Sequence, residues 1–344
     1  MITVPVKRLF GGLVIWLAIL AMLLALPGHV SRGNQELVLT LLIWVGVAQA
    51  WNIIGGIGGQ MSLGQSVFVG AGGYTVAMTM IKLQPGWPAA LVGAVVVSAL
   101  VAWLLAFPLL RLSGVHFTIG SSAVALGLLA WMVTWEWTGE SRGLNIPLDA
   151  IPDRATKFRV VAFAAVLACV VTYVLLRSTF GLRLMAVRDN EDAAAALGVS
   201  PRRVKGQAFV LSAALTGLMG GVVALNQASI EPNSMFGLTW SVTALVMVIV
   251  GGMGTLWGPV IGAYVIYYVV DRSLDNQPVL QALLSGVLII AVIVLFPGGI
   301  MGVLQQGWTW LTGLVSRGKI ARRRRHPSPS PHRSRPLPET GSVR

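Results

Sequence analysis

Charge is scarce in this chain. Asp, Glu, Lys and Arg make up 11% of its 344 residues while apolar residues make up 55%, against about 25% charged in an average soluble domain. A soluble enzyme of this composition would have almost nothing to present to water, so that class is excluded. Cysteine is limited to Cys169, which rules out an internal disulfide; inside an apolar run it reads as a small core hydrophobe. Catalytic patterns are missing as well. There is no H-E-x-x-H zinc pair and no G-x-x-x-x-G-K-[ST] phosphate loop. Gln60-Met61-Ser62-Leu63-Gly64 departs from a G-x-S-x-G nucleophile elbow at its first residue, where glycine makes the turn. His116 has no carboxylate near it in sequence and reads as a packing or interfacial residue. Any ATP-driven work would need another subunit to hydrolyse the nucleotide.

What the chain does hold is uncharged stretches long enough to approach a hydrocarbon layer, which takes about 20 helical residues. Ten are expected, at 9–27, 37–54, 66–81, 89–110, 113–135, 160–176, 206–228, 238–252, 258–270 and 279–296. The fold class is therefore an all-α polytopic membrane protein of about ten transmembrane helices. Lys7 and Arg8 before the first run also fit a signal peptide, but no clean Ala-x-Ala site follows, so a retained helix is expected. Lys and Arg set the orientation. With both termini cytoplasmic, 18 basic residues lie inside and seven outside. Trp131, Trp135 and Trp137 then gather at the outer end of the fifth span, where interfacial indoles belong. No span centre carries Asp, Glu, Lys or Arg. That argues against a proton-driven antiporter, while leaving room for a cation site built from backbone carbonyls.

Two glycine-rich segments interrupt the helical pattern. One runs Gly55-Gly56-Ile57-Gly58-Gly59-Gln60-Met61-Ser62-Leu63-Gly64-Gln65; the other runs Gly251-Gly252-Met253-Gly254-Thr255-Leu256-Trp257-Gly258-Pro259. Each follows an apolar span and leads into a small-residue helix, which suggests an internal repeat. Glycine allows close helix approach, and Gln60, Ser62 and Gln65 add neutral polar groups at membrane depth. Two readings are open: a translocation path lined by Gly55, Gly56, Gly58, Gln60, Ser62, Gly64, Gln65, Gly251, Gly252 and Gly254, or tight helix packing with satisfied polar side chains.

The loop 177–205 is the most informative segment. After basic residues up to Arg188 it reads Asp189-Asn190-Glu191-Asp192-Ala193-Ala194-Ala195-Ala196-Leu197-Gly198-Val199-Ser200-Pro201. Asn190 is placed to cap a helix whose first turn holds Glu191 and Asp192, the charge that suits the positive end of its dipole. Four alanines propagate it and Gly198 stops it. Ser200 is expected to cap the next helix, with Pro201 at its first position. A helix of about eight residues is too short to be stable alone. It suits a groove in another protein, or else is an ordinary surface helix in a connecting loop.

Asp192-Ala193-Ala194-x-x-x-Gly198 resembles the E-A-A-x-x-x-G loop of ABC importer permeases, with Asp for Glu and without the later I-x-L-P element. A closer resemblance spans most of residues 37–300, to the membrane subunit of branched-chain amino acid ABC transporters, LivM type. It is carried by Gly55 to Tyr74, Leu110-Arg111-Leu112-Ser113-Gly114-Val115-His116-Phe117 and Thr138-Gly139 through Ile146-Pro147. Further on it is carried by Gly181-Leu182-Arg183 through Ala208-Phe209-Val210-Leu211-Ser212-Ala213, and by Gly251 to Pro259. Leu falls within Ala125-Leu126-Gly127-Leu128 where that family usually has an acid, which leaves the cargo open.

The resemblance implies an ABC importer permease fold in a bacterial inner (cytoplasmic) membrane. It implies a homologous second permease, two ABC ATPase subunits that carry the ATP and Mg, and an extracytoplasmic solute-binding protein; no cofactor is expected in this chain. Arg188, Asn190, Glu191, Asp192, Ala193, Ala194, Leu197 and Gly198 would form the helix that couples to an ATPase, and the outer loop 136–159 would receive the binding protein. Branched-chain or other hydrophobic amino acids are the expected cargo, with urea and short amides the alternative. A self-contained carrier or channel for a neutral solute is the rival of another class.

Two domains are expected, a transmembrane permease domain over 1–316 and a basic Pro/Ser-rich cytoplasmic tail over 317–344. The tail holds nine Lys or Arg and one acid, and its lack of apolar residues predicts disorder. Its arginines suit anionic lipid headgroups rather than nucleic acid. Leu337-Pro338-Glu339-Thr340-Gly341 spells a sortase-type motif, but no apolar span follows it, so it reads as coincidence.

Overall fold

A computed structural model describes residues 6–28, 31–84, 86–271, 286 and 298–302. They belong to a unit running from Met1 to Gly302; a second unit, Val303–Arg344, lies outside the described residues.

The described chain is almost entirely helical. In order it forms α1 (Val6–Ala25), α2 (Arg32–Asn52), α3 (Gln65–Lys82), α4 (Trp87–Leu109), α5 (Gly114–Thr134) and α6 (Arg154–Arg177). Then come α7 (Thr179–Asp189), α8 (Glu191–Ala196), α9 (Pro201–Gln227), α10 (Pro232–Phe236), α11 (Thr239–Gly251) and α12 (Gly258–Tyr264). The first nine expected spans all fall on helical segments; the tenth, 279–296, falls outside the described residues apart from Gly286. Six segments are long and apolar enough to cross a membrane by themselves, beginning at Gly33, Trp87, Gly114, Arg154, Pro201 and Pro232.

Helix α9 is the hub, packed by α2, α3, α4 and α6. Small residues let α3 approach it closely: a side chain on Gly72 would overlap the Gly217 carbonyl. The outward faces of α4 and α5 keep large apolar side chains exposed, among them Trp103, Phe107, Val115 and Ile119. Faces of this kind belong against hydrocarbon or another membrane subunit.

One end of the bundle is tied by its loops. β1 (Leu144–Asn145) and β2 (Ser229–Ile230) pair antiparallel, with Leu144 opposite Ile230. The Lys82 ammonium sits 3.9 Å from the centre of the Trp137 ring, and Trp131 stacks on Trp135 with centroids 4.7 Å apart, so two of the three indoles stack at the end of α5 and the third lies against Lys82. Asp153 caps α6, accepting from the Thr156 hydroxyl at 2.5 Å and from its N–H at 3.3 Å. The hydroxyl bond, then the backbone bonds, hold its carboxyl below the usual carboxylate range.

Candidate functional site

At the opposite end the two glycine-rich breaks meet the loop between α6 and α9. The first break begins where α2 widens into one π-helical turn, Ile53–Ile57, with Gly58 N–H bonded to the Ile53 carbonyl at 3.0 Å. Such turns frequently interrupt helices at functional sites. The chain then folds back, and α3 starts from within the bundle. The Trp51 indole N–H fixes the return through the Ser62 carbonyl at 2.8 Å, and Ser121 Oγ of α5 accepts from Leu63 N–H at 3.0 Å.

The second break lies directly against the first. Asn52 closes the gap with both ends of its amide: Nδ2 donates to the Thr255 carbonyl at 2.9 Å and Oδ1 accepts from Gly254 N–H at 2.9 Å. Gln49, one turn earlier, donates to the Leu256 carbonyl at 2.6 Å. Gly254 has φ +72°, the left-handed region, and sits against the Gly56 backbone. An L side chain there would be strained and crowded at once.

A line of neutral polar groups continues inward. Gln65 Nε2 donates to Ser212 Oγ at 2.8 Å and to Thr216 Oγ1 at 2.6 Å, while Ser212 Oγ donates to the Ala50 carbonyl at 2.6 Å. Gln49, Asn52, Gln65, Ser212 and Thr216 are all buried. The line thus joins α2, α3, α9 and the second break without a charge. Seven residues expected to line a path, Gly55, Gly56, Gly58, Gln60, Ser62, Gly64 and Gln65, are buried, as are Gly251 and Gly252; Gly254 is half-buried. In this conformation they are packed among neighbours, Gly55 against the Trp51 ring and Gly64 against Ser121.

The α7–α8 element stands beside these breaks. Asn190 Oδ1 accepts from Ala193 N–H at 2.9 Å, the cap expected from sequence. Gly198 has φ +84° and its N–H reaches the Ala195 carbonyl at 2.9 Å, the expected stop. The helix itself is shorter than expected, Glu191–Ala196, because Leu197 already leaves helical geometry with ψ 7°. Ser200 precedes Pro201 as expected, but its side chain makes no cap bond. Ala194 is buried while Leu197 is 85% exposed, so an apolar tip projects away from the bundle. Lys205 of α9 holds the helix through Glu191 at 2.5 Å.

Arg188 connects this element to both breaks. Its Nη1 donates to the Gly56 carbonyl at 3.3 Å, its aliphatic stem crosses Gly59, and its guanidinium lies beside Gly254. Asp189 pairs with the other side of the fork at 2.9 Å. Expected coupling residues and expected path glycines are therefore brought together by one side chain. Sequence reasoning missed α7, although Ser178 caps it by accepting from Gly181 N–H at 3.0 Å. It also missed Gln49, Asn52 and Thr216. Their signal was a helical spacing of polar residues within apolar spans, three apart for Gln49 and Asn52 and four apart for Ser212 and Thr216. Among the described residues no cluster of His, Cys, Asp and Glu could hold a metal.

The chain is similar in sequence to known proteins. The family model described as branched-chain amino acid transport system / permease component matches residues 35–293. The high-affinity branched-chain amino acid transport system permease protein LivM of Escherichia coli (strain K12) is 30% identical over 310 residues, covering 80% of this chain and 72% of that protein. A probable branched-chain amino acid transport permease protein, LivH of Methanocaldococcus jannaschii, is 30% identical over 166 residues, 46% of this chain and 51% of its own. The autoinducer 2 import system permease protein LsrC of Salmonella typhimurium is 28% identical over 174 residues, 48% and 47% of the two chains. No solved structure matches the chain with significance.

Proposed function

The chain belongs to the permease family of branched-chain amino acid transport systems, multi-pass proteins of the bacterial inner membrane, and from that membership we propose that it is one membrane subunit of an ATP-driven importer for branched-chain or other hydrophobic amino acids. Both termini and the α7–α8 end face the cytoplasm in this reading, and 317–344 is a basic tail on the same side. A homologous second permease completes the pore. Two ATPase subunits supply ATP hydrolysis with their own Mg, and an extracytoplasmic binding protein delivers the solute to the outer loops, chiefly 136–159.

The observation that carries the reading is Arg188. An ATPase that grips α8 at Leu197 moves a helix only six residues long, whose buried anchor is Ala194 and whose one ion pair within the described residues runs to Lys205. Arg188 follows that helix and carries its movement to the Gly56 carbonyl and to Gly254. Both glycine-rich breaks, already joined by Asn52, then shift together. Gly55, Gly56, Gly58, Gln60, Ser62, Gly64, Gln65, Gly251, Gly252 and Gly254 open a path in which neutral amides, hydroxyls and backbone face a solute of no net charge.

Two experiments test this. Uptake of labelled leucine and of labelled urea is compared in cells with and without the chain, with ATP depletion as the control. ATP-dependent leucine uptake that requires the chain supports class and cargo; loss of urea uptake alone keeps the class and changes the cargo. In the assembled complex, Gly198→Pro or Glu191→Arg, which sets a second cation against Lys205, should abolish solute-stimulated ATPase activity while membrane insertion stays normal. Normal stimulation in both variants sinks the coupling assignment.

A further inference from the structure

Between α4 and α9, away from the breaks, a groove of about 1040 Å³ runs along the outside of the bundle. Trp103, Phe107, Leu110 and Val210 form its apolar walls, and Ala106, Gly206 and Ala214 leave it deep because they fill so little of it. A side chain added at Gly206 would meet only the Leu110 methyl, at 3.5 Å. From Arg202 to Ala214 the groove follows thirteen residues of α9, twelve steps of about 18 Å in all at helical rise. That is the length of a phospholipid acyl chain rather than of a compact solute.

One end of this groove is strongly positive. Arg111, Arg202 and Arg203 line it, all three are exposed, and none forms an ion pair with a carboxylate among the described residues. Arg111 is held over the Phe107 ring, 4.3 Å from its centre, so its charge is fixed at the groove mouth. Arg202 and Arg203 sit in the first turn of α9, where the dipole is already positive and disfavours cations. The side chain that should have capped that turn, Ser200, makes no cap bond. Three arginines, two of them in the first turn of α9, thus line one apolar slot.

Three exposed cations with no ion-pair partner among the described residues suit an external anion, and the slot suits a hydrocarbon chain on the same molecule. We infer that this groove is a specific binding site for an anionic phospholipid, its phosphate on Arg111, Arg202 and Arg203 and one acyl chain along Trp103 and Phe107. Arg202 and Arg203 directly follow the α7–α8 element in the chain. A lipid seated there holds the start of α9 in place while α8 moves.

Trp103 provides the readout. The purified complex is placed in lipid nanodiscs containing phosphatidylglycerol or phosphatidylcholine with brominated chains, and tryptophan quenching is compared with that of Trp103→Phe, so that the difference isolates Trp103. Brominated phosphatidylglycerol should quench Trp103 more than brominated phosphatidylcholine at equal mole fraction. Arg111→Ala/Arg202→Ala/Arg203→Ala should abolish that preference, with affinity for the anionic lipid falling about fivefold for each arginine removed. Gly206→Leu/Ala214→Phe, which fills the slot without altering charge, should abolish it too.

Equal quenching by the two lipids overturns the site in favour of ordinary surrounding lipid. A preference that survives the slot-filling pair means general surface attraction, and one that survives the triple arginine change removes the headgroup assignment; either overturns the proposal. If the arginine variant keeps its lipid preference but loses the copurifying ATPase, the patch is a protein contact and the lipid site falls.

Discussion

The two glycine-rich breaks look alike in sequence and are built differently. In the second, glycine serves packing: α11 and α12 approach so closely that a side chain on Gly251 would run into the Gly258 carbonyl. The first is packed closely at Gly56 and Gly58, but its return into α3 is held by hydrogen bonds. A π turn, the Trp51–Ser62 contact and the Ser121–Leu63 contact hold it, and Gln65 extends it into the bundle. A side chain on Gly64 would meet the Ser121 carbonyl oxygen at 3.1 Å and its Cβ at 3.2 Å, tight but within reach of an adjustment of a few tenths of an ångström. The lesson is that a run of glycines marks where the chain departs from a helix without saying what holds it there. The chain at Gly251 is fixed by steric fit, whereas the return from Ser62 to Gln65 depends on bonds that can be exchanged.

The comparison is broken most directly by making the same change in both breaks. Gly251→Ala should cost about 3 kcal/mol or more, because backbone on both sides must give, and should remove most of the monodisperse protein on size-exclusion chromatography. Gly64→Ala should cost about 1 kcal/mol and leave the profile nearly unchanged. Equal loss from both would mean that the first break is a packing device as well.

Arg188 is the next largest effect, since it touches both breaks. Arg188→Ala removes a charge-assisted bond to the Gly56 carbonyl, and solute-stimulated ATPase activity should fall about tenfold while basal hydrolysis holds. Arg188→Lys should recover only part of it, because an ammonium cannot hold Asp189 and the Gly56 carbonyl in one planar fork. Full recovery by lysine would reduce the residue to its charge.

Smaller shifts come from the amides. Asn52→Ala loses both bonds between the breaks and should lower stability by about 1 kcal/mol, at roughly 0.6 kcal/mol for each buried polar contact in a membrane bundle, read as a lower thermal midpoint in detergent. Gln65→Leu should cost about 0.6 kcal/mol or less. Ser212 and Thr216 keep their own bonds to the Ala50 and Ser212 carbonyls when the amide is gone. A Gln65 effect larger than that of Asn52 would shift the weight of the site from the junction to the interior.

Local features were legible in the sequence. The first nine uncharged runs all fell on helical segments, and Asn190 and Gly198 bounded α8 by cap chemistry that acts within four residues. The Ser200 cap failed although it rests on the same rule, since no bond forms unless the hydroxyl turns towards the helix. What could not be read was the meeting of Asn52 with Gly254 and Thr255, some two hundred residues apart. Neither break shows, by composition or periodicity, which other turn it lies against. Arg188 shared that obstacle: its sequence neighbours marked it as part of the coupling loop, while its partners Gly56 and Gly254 belong to distant segments.

The uncharged line from Gln49 through Asn52, Gln65, Ser212 and Thr216 also has an electrical consequence. Moving one elementary charge through a membrane potential of 100 mV is worth about 2.3 kcal/mol, and a rearrangement along this line moves none. Among the described residues the three ion pairs involve residues near the ends of helices, at Glu36 with Arg154, Arg188 with Asp189, and Lys205 with Glu191. Movement confined to this line is therefore blind to voltage, and charge enters only with the Arg188–Asp189 pair at its end. On the proposed ATP-driven cycle, a depolarised cell would retain the uncharged part of the step for as long as its nucleotide pool lasts.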